Sequence, residues 1–291
     1  VGLMEEKYLK INGKTLFTIQ KGEGEPMIFL HGGPGGSLDY FLPHMEPLSK
    51  DFQIILYDQT GCGKSEVKKG HKYSIEDEIS NLEALRKALN LEKVTLFGES
   101  WGSILALSYA AKYPEHIAKL ILTAAVGLTS EDYRTFKQKL FQKLGFYNKV
   151  LLGWYSLTSL FSAHASRKLQ QRLDPYYVYS FDTLSKKKEI SFNKVALNYI
   201  GKELDQDYNL LPSLSEFSSF PILIAQGSHD ILTPEYIKKH VINHLPNATL
   251  TEVKESGHWT ILEHPDQMVA LTRSFMRSEE TPSTGTGPLA Q

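Results

Sequence analysis

The stretch KVTLFGESWGSILALSYAAKYPE (93–115) reads as a short β run, a tight turn and then an apolar helix. At the turn stands Gly98-Glu99-Ser100-Trp101-Gly102, the only Gly-x-Ser-x-Gly run in the chain. Small residues at both ends of such a pentapeptide permit a strained strand-to-helix reversal. That reversal lifts the serine hydroxyl above the sheet, at the positive end of the following helix. Glycine and serine are common residues, so it is the strand before and the helix after that make Ser100 a candidate nucleophile.

A serine hydroxyl attacks a carbonyl only when a neighbouring base takes its proton and a carboxylate orients that base. On a strand–turn–helix scaffold of this kind the three follow in the order serine, acid, histidine. Asp230 ends GSHD (227–230), directly after the run PILIAQ, and His258 ends SGH (256–258), directly after TLTEVKE (249–255). Both fall at carboxyl ends of strands, the edge at which open α/β sheets bind ligands. Of the ten histidines, His116, His164, His240, His244 and His264 fall on helices or their caps, and His258 alone combines chain order with a strand end. The developing oxyanion needs backbone donors. One is expected from Trp101, the amide after the nucleophile, and a second from Gly33 in the loop His31-Gly32-Gly33-Pro34-Gly35-Gly36-Ser37. Such chemistry requires no cofactor and no metal, and its rate should fall as His258 protonates, with an apparent pKa near the reference value of about 6.5.

Outward from the elbow, β-type runs alternate with helical patterns: KYLKI (7–11), LFTIQK (16–21), MIFLHG (27–32), QIILYDQ (53–59), AKLILTAAV (118–126), PILIAQGS (221–228) and TLTEVKE. Alternation of this kind specifies an α/β layer fold with a mostly parallel central sheet flanked by helices. Most of the later runs are continuously apolar, as strands buried on both faces should be, whereas TLTEVKE alternates and is expected nearer an edge. SIEDEISNLEALRKALN (74–90) has the N-cap Ser74 and an apolar stripe, and TPEYIKKHVINHL (233–245) has Thr233 as N-cap with Pro234 at the first helical position.

The alternation breaks between Gly127 and Phe217, where the text becomes helical, Lys-rich and aromatic. The chain has 14 Phe, 15 Tyr and 3 Trp, and half of them lie there. The expected organisation is a core domain of residues 1–126 and 218–280, a helical cap at 127–217 inserted in it, and a Pro/Gly/Thr-rich tail at 281–291 that is disordered or tag-derived. Val at position 1, with Met4 close behind, reads as a remnant ahead of the natural start.

Composition excludes whole classes of function. With 291 residues, 41% hydrophobic, 22% charged and a formal charge of -1, the chain is globular and carries no global field for nucleic acid or an anionic bilayer. The expected partner is therefore a small molecule or short peptide, with no nucleic acid and no membrane. The single cysteine, Cys62, forbids an intrachain disulfide, and the first residues lack a signal peptide's apolar region; both fit a cytoplasmic location.

Rival readings are weaker. TGCGKS (60–65) resembles the end of a phosphate-binding loop, but Asp58 stands where that pattern needs glycine. HGGPGG lacks the spacing of a dinucleotide fingerprint. His240 and His244 lie four apart without the glutamate of a metal-binding helix motif, and Cys62 has no base placed for it. A binding protein on the same fold that does no chemistry is the rival from another class.

HGGPGG (31–36), DQTGCGKS (58–65), GESWGS (98–103), GSHD and SGH, in this order and at these spacings, resemble the proline iminopeptidase family of α/β-hydrolases, whose usual text is HGGPG, DQRGCGRS and GGSWG. The resemblance covers 25–126 and 221–275 and barely touches the insertion. It implies the α/β-hydrolase fold and a serine peptidase that removes an N-terminal residue under a helical cap. Members of that family are expected to hold the free amino terminus with cap glutamates. Here Ile231 follows Asp230, and ALNYIG (196–201) stands roughly where a Glu-containing cap motif would be; Glu203, Asp205 and Asp207 are the nearby acids. A carboxylesterase or lactonase acting on small uncharged substrates is the alternative.

Overall fold

The computed structural model describes residues 2–159 and 163–278; the tail expected at 281–291 lies outside them. Eight strands form one sheet: β1 (Glu5–Ile11), β2 (Lys14–Lys21), β3 (Pro26–Leu30), β4 (Gln53–Tyr57), β5 (Val94–Glu99), β6 (Ile117–Thr123), β7 (Ile222–Gly227) and β8 (Ala248–Val253). Their spatial order is β1-β2-β4-β3-β5-β6-β7-β8. The hairpin of β1 and β2 is antiparallel, β2 also pairs antiparallel with β4, and every later pair is parallel. The mostly parallel sheet is thus as the sequence predicts, and the alternating run TLTEVKE supplies β8, an edge strand.

The central strands are apolar because they serve two cores. Successive side chains point to opposite faces. Ile28, Leu30, Ile55, Tyr57, Val94 and Leu96 join one cluster, while Met27, Phe29, Ile54, Leu56 and Phe97 join the other. The helices α1 (Ile75–Ala88) and α2 (Trp101–Lys112) cover the first face, and the 3₁₀ turns at Leu38–Phe41 and Glu46–Lys50 belong to the second. Ser74 caps α1 by accepting from the Asp77 amide at 3.0 Å.

Between β6 and β7 the described residues form four α-helices, α3 (Ser130–Lys143), α4 (Phe146–Ser159), α5 (Ala163–Leu173) and α6 (Lys194–Gln206), with 3₁₀ turns among them. No strand occurs there among the described residues. A capping box starts α3, with Thr129 accepting from the Asp132 amide and Asp132 answering. The 3₁₀ stretch Leu211–Ser219 that follows α6 packs on α2, and its Phe217 is buried beside Phe220.

After β7 come α7 (Pro234–His240), α8 (Thr260–Glu263) and α9 (Pro265–Arg277). Thr233 caps α7 as expected, with Pro234 at its first position. The helix is shorter than the pattern to Leu245 suggests: Val241 breaks it at φ -123°, ψ -61°, and a separate 3₁₀ turn carries Ile242–His244. With Val241 out of helical backbone, His240 and His244 no longer share one helix at i, i+4.

Candidate active site

Ser100 is the single residue between β5 and α2, and its backbone lies at φ 53°, ψ -118°. An L side chain there is strained, so the surroundings must over-determine it. Ser100 N–H donates to the Thr123 carbonyl on β6 at 3.1 Å, and the Ser100 carbonyl accepts from the Ser103 amide at 2.8 Å and the Ser103 hydroxyl at 2.6 Å. Glycine at the two flanks is a matter of space: a methyl group at Gly98 would overlap the Gly102 carbonyl, and one at Gly102 would overlap the Leu30 carbonyl on β3.

The loops after β7 and β8 bring Asp230 and His258 to this turn. His258 Nε2 lies 2.9 Å from Ser100 Oγ, and His258 Nδ1 lies 2.7 Å from Asp230 Oδ1. With Nδ1–H donating to the carboxylate, Nε2 is left as the acceptor for the serine hydroxyl. Asp230 Oδ1 also accepts from the Ile231 amide at 2.6 Å, and Oδ2 accepts from Gln226 Nε2 at 2.9 Å. Gln226 is itself fixed by the Ala125 amide and the Leu232 carbonyl. Both His258 and Asp230 are 2% exposed. Burial works to lower the His258 pKa, but the Asp230 charge, its hydrogen bond and the Glu99 carboxylate outweigh that and raise it above the ordinary value. The expected midpoint near the reference histidine value is corrected upward accordingly.

Glu99 points its carboxyl at Gly32, where a methyl group would overlap Oε2. Burial pushes its pKa up to about 7, with His258 pulling it down and Asp230 pushing it up.

Trp101 opens α2, so its amide is one of those without an intrahelical acceptor. Gly33 sits at φ 130° in the loop after β3. His31 braces that loop from below: its Nε2 accepts from the Gln59 amide at 3.0 Å, which leaves Nδ1–H to donate to the Gly32 carbonyl at 2.9 Å. Burial lowers the His31 pKa, against the pull of Asp58, and favours this neutral ring. The Gln59 side chain then donates to the His31 carbonyl at 3.0 Å and accepts from Trp101 Nε1 at 2.8 Å. Gln59 thus ties the two segments that carry Gly33 and Trp101. No motif in the sequence marks Gln59 or Gln226 as a site residue. The signal available for each was a glutamine at or just past the end of a buried apolar strand, where an amide must find backbone partners.

The loop DQTGCGKS coils around its own carboxylate. Asp58 accepts from the Leu38 and Lys64 amides at 2.8 Å each, and a methyl group at Gly63 would overlap that carboxyl. The Lys64 amide, which a phosphate-binding loop would turn to its ligand, is taken by Asp58. Burial raises the Cys62 pKa well above its ordinary value, which disfavours a thiolate nucleophile. Among the described residues, no group of three or more His, Cys, Asp or Glu side chains could hold a metal ion.

Helical-segment side chains pack directly on the histidine. The ring centroids of Phe136 and Tyr177 lie 5.1 and 5.5 Å from that of His258, and Tyr177 stacks on Trp259 at 5.0 Å. The Tyr177 carbonyl accepts from the His258 amide at 2.8 Å. Glu263 closes the same seam, accepting from the Gly257, Tyr179 and Ser180 amides at 2.8, 2.9 and 3.0 Å. The three acids considered for an amino-terminus site are placed otherwise. Glu203 accepts from the Ile75 amide at the start of α1, Asp205 pairs with Lys137 and takes Arg134 on its carbonyl, and Asp207 is exposed after α6.

Residues 25–265 match the family described as alpha/beta hydrolase fold. Proline iminopeptidase of Lactobacillus helveticus (strain DPC 4571) is 30% identical over 284 residues, covering 93% of this chain and 94% of that protein. A cis-3-alkyl-4-alkyloxetan-2-one decarboxylase of Shewanella oneidensis is 28% identical over 293 residues, covering 97% of this chain and 91% of its own. Among solved structures, an alpha/beta fold family hydrolase from Bacillus anthracis str. Sterne superposes with a TM-score of 0.78 at 25% identity, covering 94% of this chain and 99% of that one. No helix among the described residues is long and apolar enough to cross a membrane. The chain belongs to the α/β hydrolase fold family, among its proline iminopeptidase-like serine hydrolases.

Proposed function

We propose that Ser100, His258 and Asp230 act as a catalytic triad on a small amide or ester. The observation that carries this reading is the unbroken chain from Ser100 Oγ to His258 Nε2 at 2.9 Å and from His258 Nδ1 to Asp230 at 2.7 Å. Ser100 Oγ attacks the substrate carbonyl as His258 takes its proton, and Asp230 stabilises the imidazolium that forms. The Gly33 and Trp101 amides receive the oxyanion. The intermediate collapses when His258 protonates the leaving group, and water activated by the same histidine releases the acyl group from Ser100. Residues 127–217 act as a cap over a body formed by 1–126 and 218–280. Phe136 and Tyr177 shield the imidazole, so that its ion pair with Asp230 operates in a medium of low polarity.

For substrate, the proline iminopeptidase relatives favour release of an N-terminal residue from a small peptide or amide. A second reading, an esterase or lactonase, is favoured by the positions of Glu203 and Asp205, which are engaged on α1 and on Lys137. An ammonium group brought into the site without a carboxylate would forfeit solvation worth several kcal/mol. The Shewanella relative is named for an oxetan-2-one, which is a four-membered cyclic ester. Prolyl and alanyl anilides compared with short esters and lactones decide between the two. Anilide turnover that disappears when the substrate's amino group is acylated supports the peptidase; turnover of esters alone refutes it. Ser100→Ala must abolish whichever activity is found, and undiminished turnover by that variant sinks the triad.

A further inference from the structure

The cap and the two glycine-rich loops beside Ser100 meet at one side chain. Asn193 precedes α6, and its Oδ1 caps that helix by accepting from the Ala196 amide at 3.0 Å. Its backbone amide donates to the Gly35 carbonyl in HGGPGG at 2.8 Å. Its Nδ2 donates to the Gly61 carbonyl in DQTGCGKS at 2.8 Å and to the Tyr73 hydroxyl at 3.0 Å. Four separate segments, three from the body and one from the cap, are therefore joined through one residue.

The two loop glycines record how close this approach is. Gly35 has φ 103°, and a methyl group there would overlap the Asn193 carbonyl. Gly61 has φ 69°, and a methyl group there would overlap the Tyr73 hydroxyl and press on Asn193 Nδ2. Glycine at these positions thus answers a cap residue as well as a backbone conformation that L side chains rarely adopt.

We propose that Asn193 is a positioning residue that couples docking of the cap to assembly of the oxyanion loop. The inference rests on the reading of Gly33 as an oxyanion donor. Gly35 lies two residues beyond Gly33 in a loop fastened on one side by His31 and Gln59 and on the other by Asn193. The side chain's bonds to Gly61 and Tyr73 hold the Asn193 backbone amide in place on the Gly35 carbonyl, and releasing them loosens that second fastening. The Gly33 amide then loses its fixed direction, although nothing that binds the ground-state substrate need change.

Three variants separate this role from helix capping. Asn193→Ala removes both functions of the side chain. Asn193→Asp keeps an acceptor for the Ala196 amide and removes the Nδ2 donors. Tyr73→Phe removes one partner only. Each is assayed on the same activated ester for kcat and KM, and for the rate at which a fluorophosphonate modifies the protein, a reaction that uses the same oxyanion donors. Both Asn193 variants should lose about ten-fold or more in kcat and in modification rate, as expected for a misdirected donor, with KM changed less than about two-fold. Tyr73→Phe should lose less than either. An Asn193→Asp protein with native kcat and native modification rate overturns the proposal, as does a series in which only KM rises. Thermal unfolding of each variant, with Asn193→Asp retaining the cap, keeps loss of folding apart from loss of positioning. The Ser100→Ala control fails separately: if it remains active or is still modified, the triad reading is wrong whatever Asn193 does.

Discussion

Every residue of β5 and of β7 is buried, whereas along α4 Phe146, Tyr147, Val150 and Trp154 are all more than half exposed. The two regions also differ in what fixes them. The body's strands interlock two apolar cores through alternate side chains, and the elbow is wedged between backbone carbonyls that admit only glycine. Segment 127–217, proposed as the cap, is anchored at its two ends and along α6, where Leu128, Ile200, Leu204 and Phe217 join the sheet's core cluster. It is held too by backbone groups met by Asn193, Glu263 and the Tyr177 carbonyl, whereas α4 leaves its rings outside. On the reading proposed above, the chemistry lies on the buried sheet and substrate choice falls to the segment whose apolar side chains are less covered.

That division can be broken by substitution. The largest effect should come from Asp230→Asn, which preserves shape but lets the histidine settle in the wrong tautomer; a fall of about 10⁴-fold in kcat is expected, read on any ester the protein hydrolyses. Next, Gly102→Ala drives a methyl group into the Leu30 carbonyl. It should cost about 3 kcal/mol in urea unfolding, at the upper end for overpacking, and a native midpoint would show that the elbow is not wedged. Third is the pH profile. His258 must be neutral to accept the serine proton, and its pKa is raised, so activity rises with pH and reaches half its limit above pH 6.5. Between pH 8 and pH 5 the rate should drop by more than about 30-fold; a midpoint below 6.5 would mean that Asp230 does not hold the imidazolium. The smallest effect is predicted on α4, where Phe146→Ser removes a ring that is 84% exposed. Its unfolding midpoint should move by no more than the roughly 0.5 kcal/mol typical of surface changes.

The body was legible in the sequence because its physics is local. Burial on both faces writes a continuous apolar run, and the edge strand β8 betrays itself by alternation. Ser100, Asp230 and His258, which the structure joins in one hydrogen-bonded chain, stand out in the sequence because each follows a strand-type run. What was missed depends on distant backbone. Gln59 reaches the His31 carbonyl, Gln226 the Ala125 amide, and Asn193 the Gly61 carbonyl, none of which leaves a pattern in neighbouring residues. The helix predicted to run to Leu245 stops at His240, where Val241 leaves helical backbone although the residues around it keep a helical pattern. The acids of α6 looked available as an amine site because their pairing with Lys137 and with the start of α1 is visible only once α3, α6 and α1 are assembled.

Covalent capture of the nucleophile tests the central claim most directly. The protein is treated with a fluorophosphonate until hydrolysis stops, and its intact mass and proteolytic peptides are then measured. One phosphonyl adduct per chain, carried by Ser100 and formed in proportion to lost activity, is the predicted result. An adduct on another residue, or full inhibition with Ser100 unmodified, would contradict it.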